Sequence, residues 1–261
     1  MNNLRIYGNA PFNIALVHGG PGAPGEMAPL ARELASEMGV LEPLQTAGSI
    51  DGQVEELKNV LETHGNPPLI LVGFSWGAWL SFILSARYPS LVKKLILVSS
   101  PPFTDKYTAQ IMETRLNHLN AGERKEALSL LSSIYSGSAK VNSFARFGDL
   151  MEKADSFDLM AHDSEILPCS PEIYQQVWAE AGKMRSSGEL LQLGEKIQCP
   201  VVAIHGDYDP HPAAGVQEPL SRALKDFRFI LLAKCGHYPW YEHETKGNFY
   251  DVLRREIGVY E

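Results

Sequence analysis

Between Asn13 and Ser100, short apolar runs alternate with longer amphipathic ones, and this rhythm leaves the chain few folds to choose from. The run "NIALVHGG" is apolar, partly β-branched and closed by glycines, as a buried parallel strand should be. It leads into "GEMAPLARELASEM", where Met27, Leu30, Leu34 and Met38 recur at helical spacing. The pairing returns in "VLEPLQ" then "DGQVEELKNVLETH", and in "PLILVGF" then "WGAWLSFILSARY"; a further strand, "VKKLILVSS", runs up to Pro101. Strands that are apolar on both faces need helices on both sides, so the pattern predicts an α/β fold with a mostly parallel sheet flanked by helices.

From Pro102 to about Lys196 the strand signal lapses. Helical stretches such as "ERKEALSLLSSIY" and "PEIYQQVWAEAGKM" replace it, punctuated by "GS" and "PCSP". The alternation then resumes with "CPVVAIHGDYDP" as a buried strand and "GVQEPLSRALKD" as a helix. "FRFILLAKCGH" reads as another strand, and "ETKGNFYDVLRREIG" as the closing helix. The expected organisation is a core formed by residues 1–101 and 197–261, interrupted once by a helical insertion at 102–196. With 261 residues, 44% of them hydrophobic, the chain can bury one sizeable core.

Composition excludes several classes of function. The net charge is -8 and no run of lysine or arginine forms a basic stripe, which argues against nucleic acid as a partner. The start "MNNLRIYGNAPF" lacks the pattern of a signal peptide, and no apolar run approaches the roughly 18 residues that span a bilayer. Cys169, Cys199 and Cys235 are widely spaced and match no CxxC pattern, so neither a disulfide framework nor a zinc site is expected. These features together fit a cytoplasmic protein without a membrane anchor.

Against this background one polar residue stands out. Ser75 lies inside "GFSWG", where the strand counted as the fifth gives way to a helix. Glycines two positions to either side permit a sharp turn that lifts the hydroxyl to the carboxyl edge of the sheet, where ligands bind in open α/β sheets. A serine hydroxyl is a weak nucleophile and needs a base, which itself needs an orienting group. Of eight histidines, His64 ends a helix, His118, His162 and His243 sit in polar surroundings, and His18 and His205 lie at strand ends beside glycine. His211 belongs to "HGDYDPH", where His205, Asp207, Asp209 and His211 alternate. Alternate residues after a strand converge only with a favourable turn, so no metal site is expected there. His237, in the glycine-preceded loop "AKCGHYPW", is the strongest candidate for the base. Asp207 and Asp209 both qualify on spacing as its orienting acid. The order serine, acid, histidine differs from that of chymotrypsin-like and subtilisin-like chains.

These residues resemble the α/β-hydrolase superfamily over nearly the whole chain, with "GFSWG" as nucleophile elbow, "HGDYDP" as acid loop and "GHYPW" as histidine loop. The resemblance implies an acid at the fourth place of G-x-x-D, which is Asp209, and leaves Asp207 as a turn residue. The segment "HGGPG", His18 to Gly22, resembles the oxyanion loop of the proline iminopeptidase branch. It implies the backbone N–H groups of Gly20 and Trp76 as oxyanion donors, with His18 bracing the loop. Departures are also present: "LQTAGSID" stands where that branch carries a DQRGxGxS-like segment, the elbow reads GFSWG rather than GGSWG, and the insertion is shorter.

The implied activity is that of a serine hydrolase acting on a small ester, amide or short peptide through an acyl-enzyme, with Ser75, Asp209 and His237 as triad and no metal or organic cofactor. An aminopeptidase is the narrower alternative, and a ligand receptor on a hydrolase scaffold the alternative of another class. The resemblance makes 102–196 a cap. Phe103, Phe144, Phe147, Tyr174 and Trp178 are expected to be core residues there rather than pocket walls, and Glu113, Asp149, Glu152 and Asp155 to lie on solvated faces.

Overall fold

The computed structural model describes residues 3–22, 24–136, 141–163, 165–167 and 170–258. Cys169 and the side chain of Phe144 lie outside the described residues. Seven strands form one sheet: β1 (Leu4–Tyr7), β2 (Phe12–Val17), β3 (Gly39–Pro43), β4 (Leu69–Phe74), β5 (Val92–Val98), β6 (Val201–Gly206) and β7 (Phe227–Leu232). They lie side by side in the order β1-β3-β2-β4-β5-β6-β7. All pairings are parallel except that of β1 with β3, where Leu4 faces Pro43. The strand before Ser75 is fourth in the chain, not fifth, because only β1, β2 and β3 precede it.

The apolar runs become central strands because each supplies two layers at once. In β4, Leu69 and Leu71 enter one core cluster while Ile70, Val72 and Phe74 enter the other. The first cluster lies under α2 (Ile50–His64) and α3 (Trp76–Arg87), and the second under α1 (Ala28–Leu34) and α10 (Lys246–Ile257). The residues Trp76 to Ala86 of α3 are all buried, which explains an apolar pattern that runs around the whole helix. The segment 25–38 forms a shorter helix than its spacing suggests, since α1 starts only at Ala28 with Pro29 in its first turn.

Between β5 and β6 run α4 (Ile111–His118), α5 (Ala121–Tyr135), α6 (Val141–Asp155), α7 (Pro171–Ser187) and the short α8 (Glu189–Gln192). The strands β5 and β6 are direct neighbours, with Leu95 opposite Val201, so this long excursion leaves the sheet intact. Helices α4, α5 and α6 enclose a small core of their own around Leu116, Ala127 and Leu150. By contrast α7 sends Val177 and Ala181 into the main core. Helix α9 (Ala214–Ala223) connects β6 to β7 and completes the fold.

Candidate active site

Ser75 sits between β4 and α3 with φ 49 and ψ -119, a left-handed-side conformation that a residue with a Cβ adopts only under constraint. The constraint is visible in its surroundings. Its N–H donates to the Val98 carbonyl at 3.0 Å, and its own carbonyl accepts from Ala78 at 2.9 Å. The flanking glycines are required by close approach: a Cβ on Gly73 would overlap the Gly77 carbonyl, and one on Gly77 the carbonyls of Val17 and His18. Trp76 opens α3, so its N–H is among those a helix cannot satisfy internally.

His237 follows β7 and is buried. Its Nδ1 donates to Asp209 Oδ2 at 2.7 Å, and its ring packs on Phe74, the residue before Ser75, with 4.9 Å between centroids. With Nδ1 carrying the proton, Nε2 is the basic nitrogen of the neutral ring. The acid loop is stitched to the histidine loop: Asp207 N–H bonds the Leu232 carbonyl and Tyr208 N–H the Cys235 carbonyl, each at 2.9 Å. Gly206 allows that contact, since a Cβ there would overlap the Cys235 carbonyl. The turn aims Asp209 inward and leaves Asp207 exposed. Asp207 accepts from the Cys235 N–H at 3.3 Å, so it serves the neighbouring loop.

One expectation is overturned here. His205, Asp209 and His211 do converge, because the turn after β6 folds back on itself. Asp209 Oδ1 accepts from both the backbone N–H and Nδ1 of His211, at 2.9 and 2.8 Å, and His205 Nε2 stands 3.6 Å from Oδ2. Ligand atoms of Asp209, His211 and His237 lie within 4.8 Å of one another, a spacing a metal ion could use. Nδ1 of both rings is already committed to the carboxylate, however, and hydrogen bonding accounts for the cluster. Burial opposes ionisation of Asp209, but the imidazoles of His237, His211 and His205 outweigh it and hold the acid well below its usual range. For His237 burial alone would lower the pKa; the Asp209 carboxylate outweighs it and carries the ring above its ordinary value.

The loop after β2 approaches the same edge. His18 is fully buried, and burial pulls its pKa down to about 4, so the ring is neutral. Gln45 N–H donates to Nε2 at 3.2 Å, which leaves Nδ1 to donate to the Gly19 carbonyl at 2.6 Å. His18 therefore ties "HGGPG" to "LQTAGSID". Gly20 and Gly22 have φ 38 and 77, values that favour glycine.

One group escaped the reading of the sequence, and others take up different places from those expected. Glu26 accepts from the Gly19 N–H at 3.0 Å. It keeps some exposed surface, yet its carboxyl is closely surrounded, and burial raises its pKa to about 7 against the opposing charge of His237. An acid eight residues after His18, leading a helix, was the available signal. Asp155 is buried rather than solvated: Arg115 Nε and Nη2 donate to its two oxygens at 2.6 and 2.8 Å, and its carbonyl accepts from the His237 N–H at 2.7 Å. Glu113 and Asp149 are exposed, and Glu152 lies 3.1 Å from His162. Phe103 is core and Phe147 packs on the small core of α4, α5 and α6, whereas Tyr174 is exposed and lines a cleft, and Trp178 both packs against the main core and lines that cleft. Helix α7 presents them past the elbow tryptophans, and Trp178 meets both Trp76 and Trp79 at 5.7 Å.

The raised pKa of Glu26 has a consequence for stability. Folded and unfolded chains both carry the protonated acid below about pH 4.5, whereas between there and about 7 only the folded chain holds the proton. Stability is therefore lost as pH rises through that window. Glu26→Gln is expected to stabilise the protein at pH 8 by roughly 1–3 kcal/mol and to change little near pH 4. Thermal denaturation at the two pH values checks this, and equal shifts at both would contradict it.

Size alone does not locate the site. A cleft of about 640 Å³ between Tyr107, Leu191 and Arg222 is lined by none of Ser75, Asp209 and His237, and one of about 560 Å³ between Arg87, Glu195 and Asp226 lies where β5, β6 and β7 begin, at the end of the sheet away from Ser75. Among the described residues no helix is long and apolar enough to cross a membrane.

Comparison with known proteins agrees with this architecture. The chain is 26% identical, over an alignment of 285 positions, to a proline iminopeptidase of Lactobacillus delbrueckii subsp. bulgaricus, covering 93% of this chain and 90% of that one. Its structure superposes on that of VinJ with a TM-score of 0.70 at 18% identity, covering 98% and 94% of the two chains. The monoacylglycerol lipase of Paleococcus ferrophilus superposes with a TM-score of 0.63 at 16% identity, covering 98% of each chain. At these identities the structural likeness speaks to the fold. The sequence pattern of the α/β hydrolase fold matches residues 21–244, and with the sheet order and the strand-to-helix turn at Ser75 this establishes that the chain belongs to the α/β hydrolase fold family.

Proposed function

We propose that the protein is a serine hydrolase that cleaves small esters or amides through an acyl-enzyme, with Ser75 as nucleophile, His237 as general base and acid, and Asp209 as its orienting acid. The observation that carries this reading is the 2.7 Å bond between His237 and Asp209 in two loops at the carboxyl edge of the sheet, where Ser75 is held in its constrained turn. His237 Nε2 takes the Ser75 proton as the oxygen attacks the carbonyl, then returns it to the leaving group. Asp209 holds the imidazole tautomer and stabilises the imidazolium. Water repeats the cycle on the acyl-enzyme. The N–H groups of Gly20 and Trp76 meet the oxyanion, and each such donor typically contributes about 10²–10³ in turnover. Residues 102–196 serve as a cap over a core of 1–101 and 197–261.

A second reading, an aminopeptidase, is favoured by the likeness to a proline iminopeptidase along 93% of the chain and by the Glu26 carboxyl near His237. An ammonium group in a closed site needs such a partner. Assaying p-nitrophenyl acetate and proline p-nitroanilide in parallel separates the two. We expect measurable cleavage of the ester and slow or no cleavage of the anilide; a clear preference for the anilide would establish the second reading.

A further inference from the structure

The cleft beside the candidate triad encloses about 380 Å³. One wall is His211, whose ring stands 4.7 Å from that of His237 between centroids. Another is Trp178, packed on the residue that follows Ser75. Pro102 and Ile111 contribute apolar surface. Among the described residues the lining holds two permanently charged side chains, Arg115 of α4 and Arg185 of α7, and no carboxylate. In a chain whose net charge is -8, that selection of lining residues calls for an explanation.

Both guanidinium groups are fixed from behind. Arg115 gives Nε and Nη2 to Asp155, at 2.6 and 2.8 Å. Arg185 gives Nε to Asp105 at 2.6 Å and lies 5.8 Å from the centre of the Trp79 ring. The two aspartates balance the charge, so the cleft attracts through directed donors rather than through net potential. Among the described residues no acceptor takes up Nη1 of Arg115 or either Nη of Arg185. A guanidinium already held in place loses little freedom when its remaining N–H groups engage a planar anion. Burial lowers the pKa of His211 against the pull of Asp209, which disfavours a third cation in the lining.

We infer that this cleft receives a carboxylate borne by the substrate, so that the preferred substrates are small esters or amides with an acidic group on a short chain from the scissile carbonyl. The inference rests on the serine hydrolase reading for the reaction, though not for the binding. Arg115 and Arg185 hold the acid, while the walls formed by Trp178 and Ile111 take the intervening carbons.

The test compares mono-p-nitrophenyl glutarate with its methyl ester, which has the same chain but no charge. The acid is expected to show at least about tenfold higher kcat/KM, a ratio that one charge-assisted hydrogen bond can supply. Arg185→Gln should bring that ratio close to one, mainly through KM, and Arg185→Lys should restore part of it. Binding is read separately from tryptophan fluorescence, with glutarate expected to bind at least about tenfold more tightly than the neutral diamide glutaramide. If glutarate binds in an Arg185-dependent way while neither ester is cleaved, the cleft assignment stands and the hydrolase reading fails. If both esters are cleaved alike and glutarate binds no better than glutaramide, the cleft assignment is wrong and the hydrolase reading survives.

Discussion

Replacing Ser75 by alanine is expected to lower ester turnover about 10⁶-fold, the loss that follows removal of the nucleophile from a serine triad. His237→Ala should cost about as much, and the double variant little more than either, if the two residues act as one unit as proposed. The measurement is steady-state hydrolysis of p-nitrophenyl acetate. Labelling by a fluorophosphonate should disappear with the same substitution. Since Ser75 has φ 49, Ser75→Gly is a useful companion: glycine accepts that conformation without strain, so its loss of activity reports the missing hydroxyl alone. Turnover within tenfold of the wild type in Ser75→Gly would remove the serine from the mechanism, and ligand binding without any turnover in the unmodified protein would favour a receptor.

Asp209→Asn is expected to reduce turnover by about 10⁴-fold, as the amide holds the imidazole in the wrong tautomer. Asp207→Asn should be far milder, since Asp207 is exposed and accepts only a backbone N–H from the neighbouring loop. The reverse ranking would mean that the wrong acid has been assigned. The pH profile gives an independent check on the same substitution. In the proposed mechanism activity needs the neutral imidazole, and the Asp209 carboxylate keeps His237 above its ordinary pKa, so the acid limb of kcat/KM is expected above that of a free imidazole and should move to lower pH in the variant. Folding is affected as well. The depressed pKa of Asp209 means that its ionised form contributes stability above the normal carboxylate value, and that contribution disappears as pH falls through the lowered one. Circular dichroism at neutral pH therefore accompanies the kinetics.

Six of the seven strands are legible in the sequence: the central ones because a strand buried on both faces must be apolar along its length, as β4 is from Leu69 to Phe74, and the edge strand β7 because its run FRFILL is mostly apolar although only part of it is buried. The exception, β1, has four residues, of which Leu4 is buried and Ile6 is 49% exposed. It pairs with β3, some forty residues away, and a short edge strand leaves no local periodicity to read. The same distinction separates the groups around the site. Ser75 announces itself through its flanking glycines, which are a local requirement of the turn. Asp155 and Glu26 do not, for their roles depend on Arg115 and on Gly19, which approach them only after the chain has folded.

The alternation of β2 to β7 with helices, the sharp turn at Ser75 and the two loops that carry an acid and a histidine were determined by the sequence alone, because each is written in neighbouring residues. Tertiary structure decided which acid meets His237. Asp207 and Asp209 have equal standing on spacing, and only the docking of Gly206 against Cys235, which stitches the two loops together, turns Asp209 inward and Asp207 out. It also decided that His205 and His211 gather on the same carboxylate, and that Arg115 and Arg185, seventy residues apart on α4 and α7, line one cleft. The first meeting depends on how the turn after β6 folds back, the second on how α4 and α7 pack, and contacts between residues far apart in the chain leave no periodic trace in either segment.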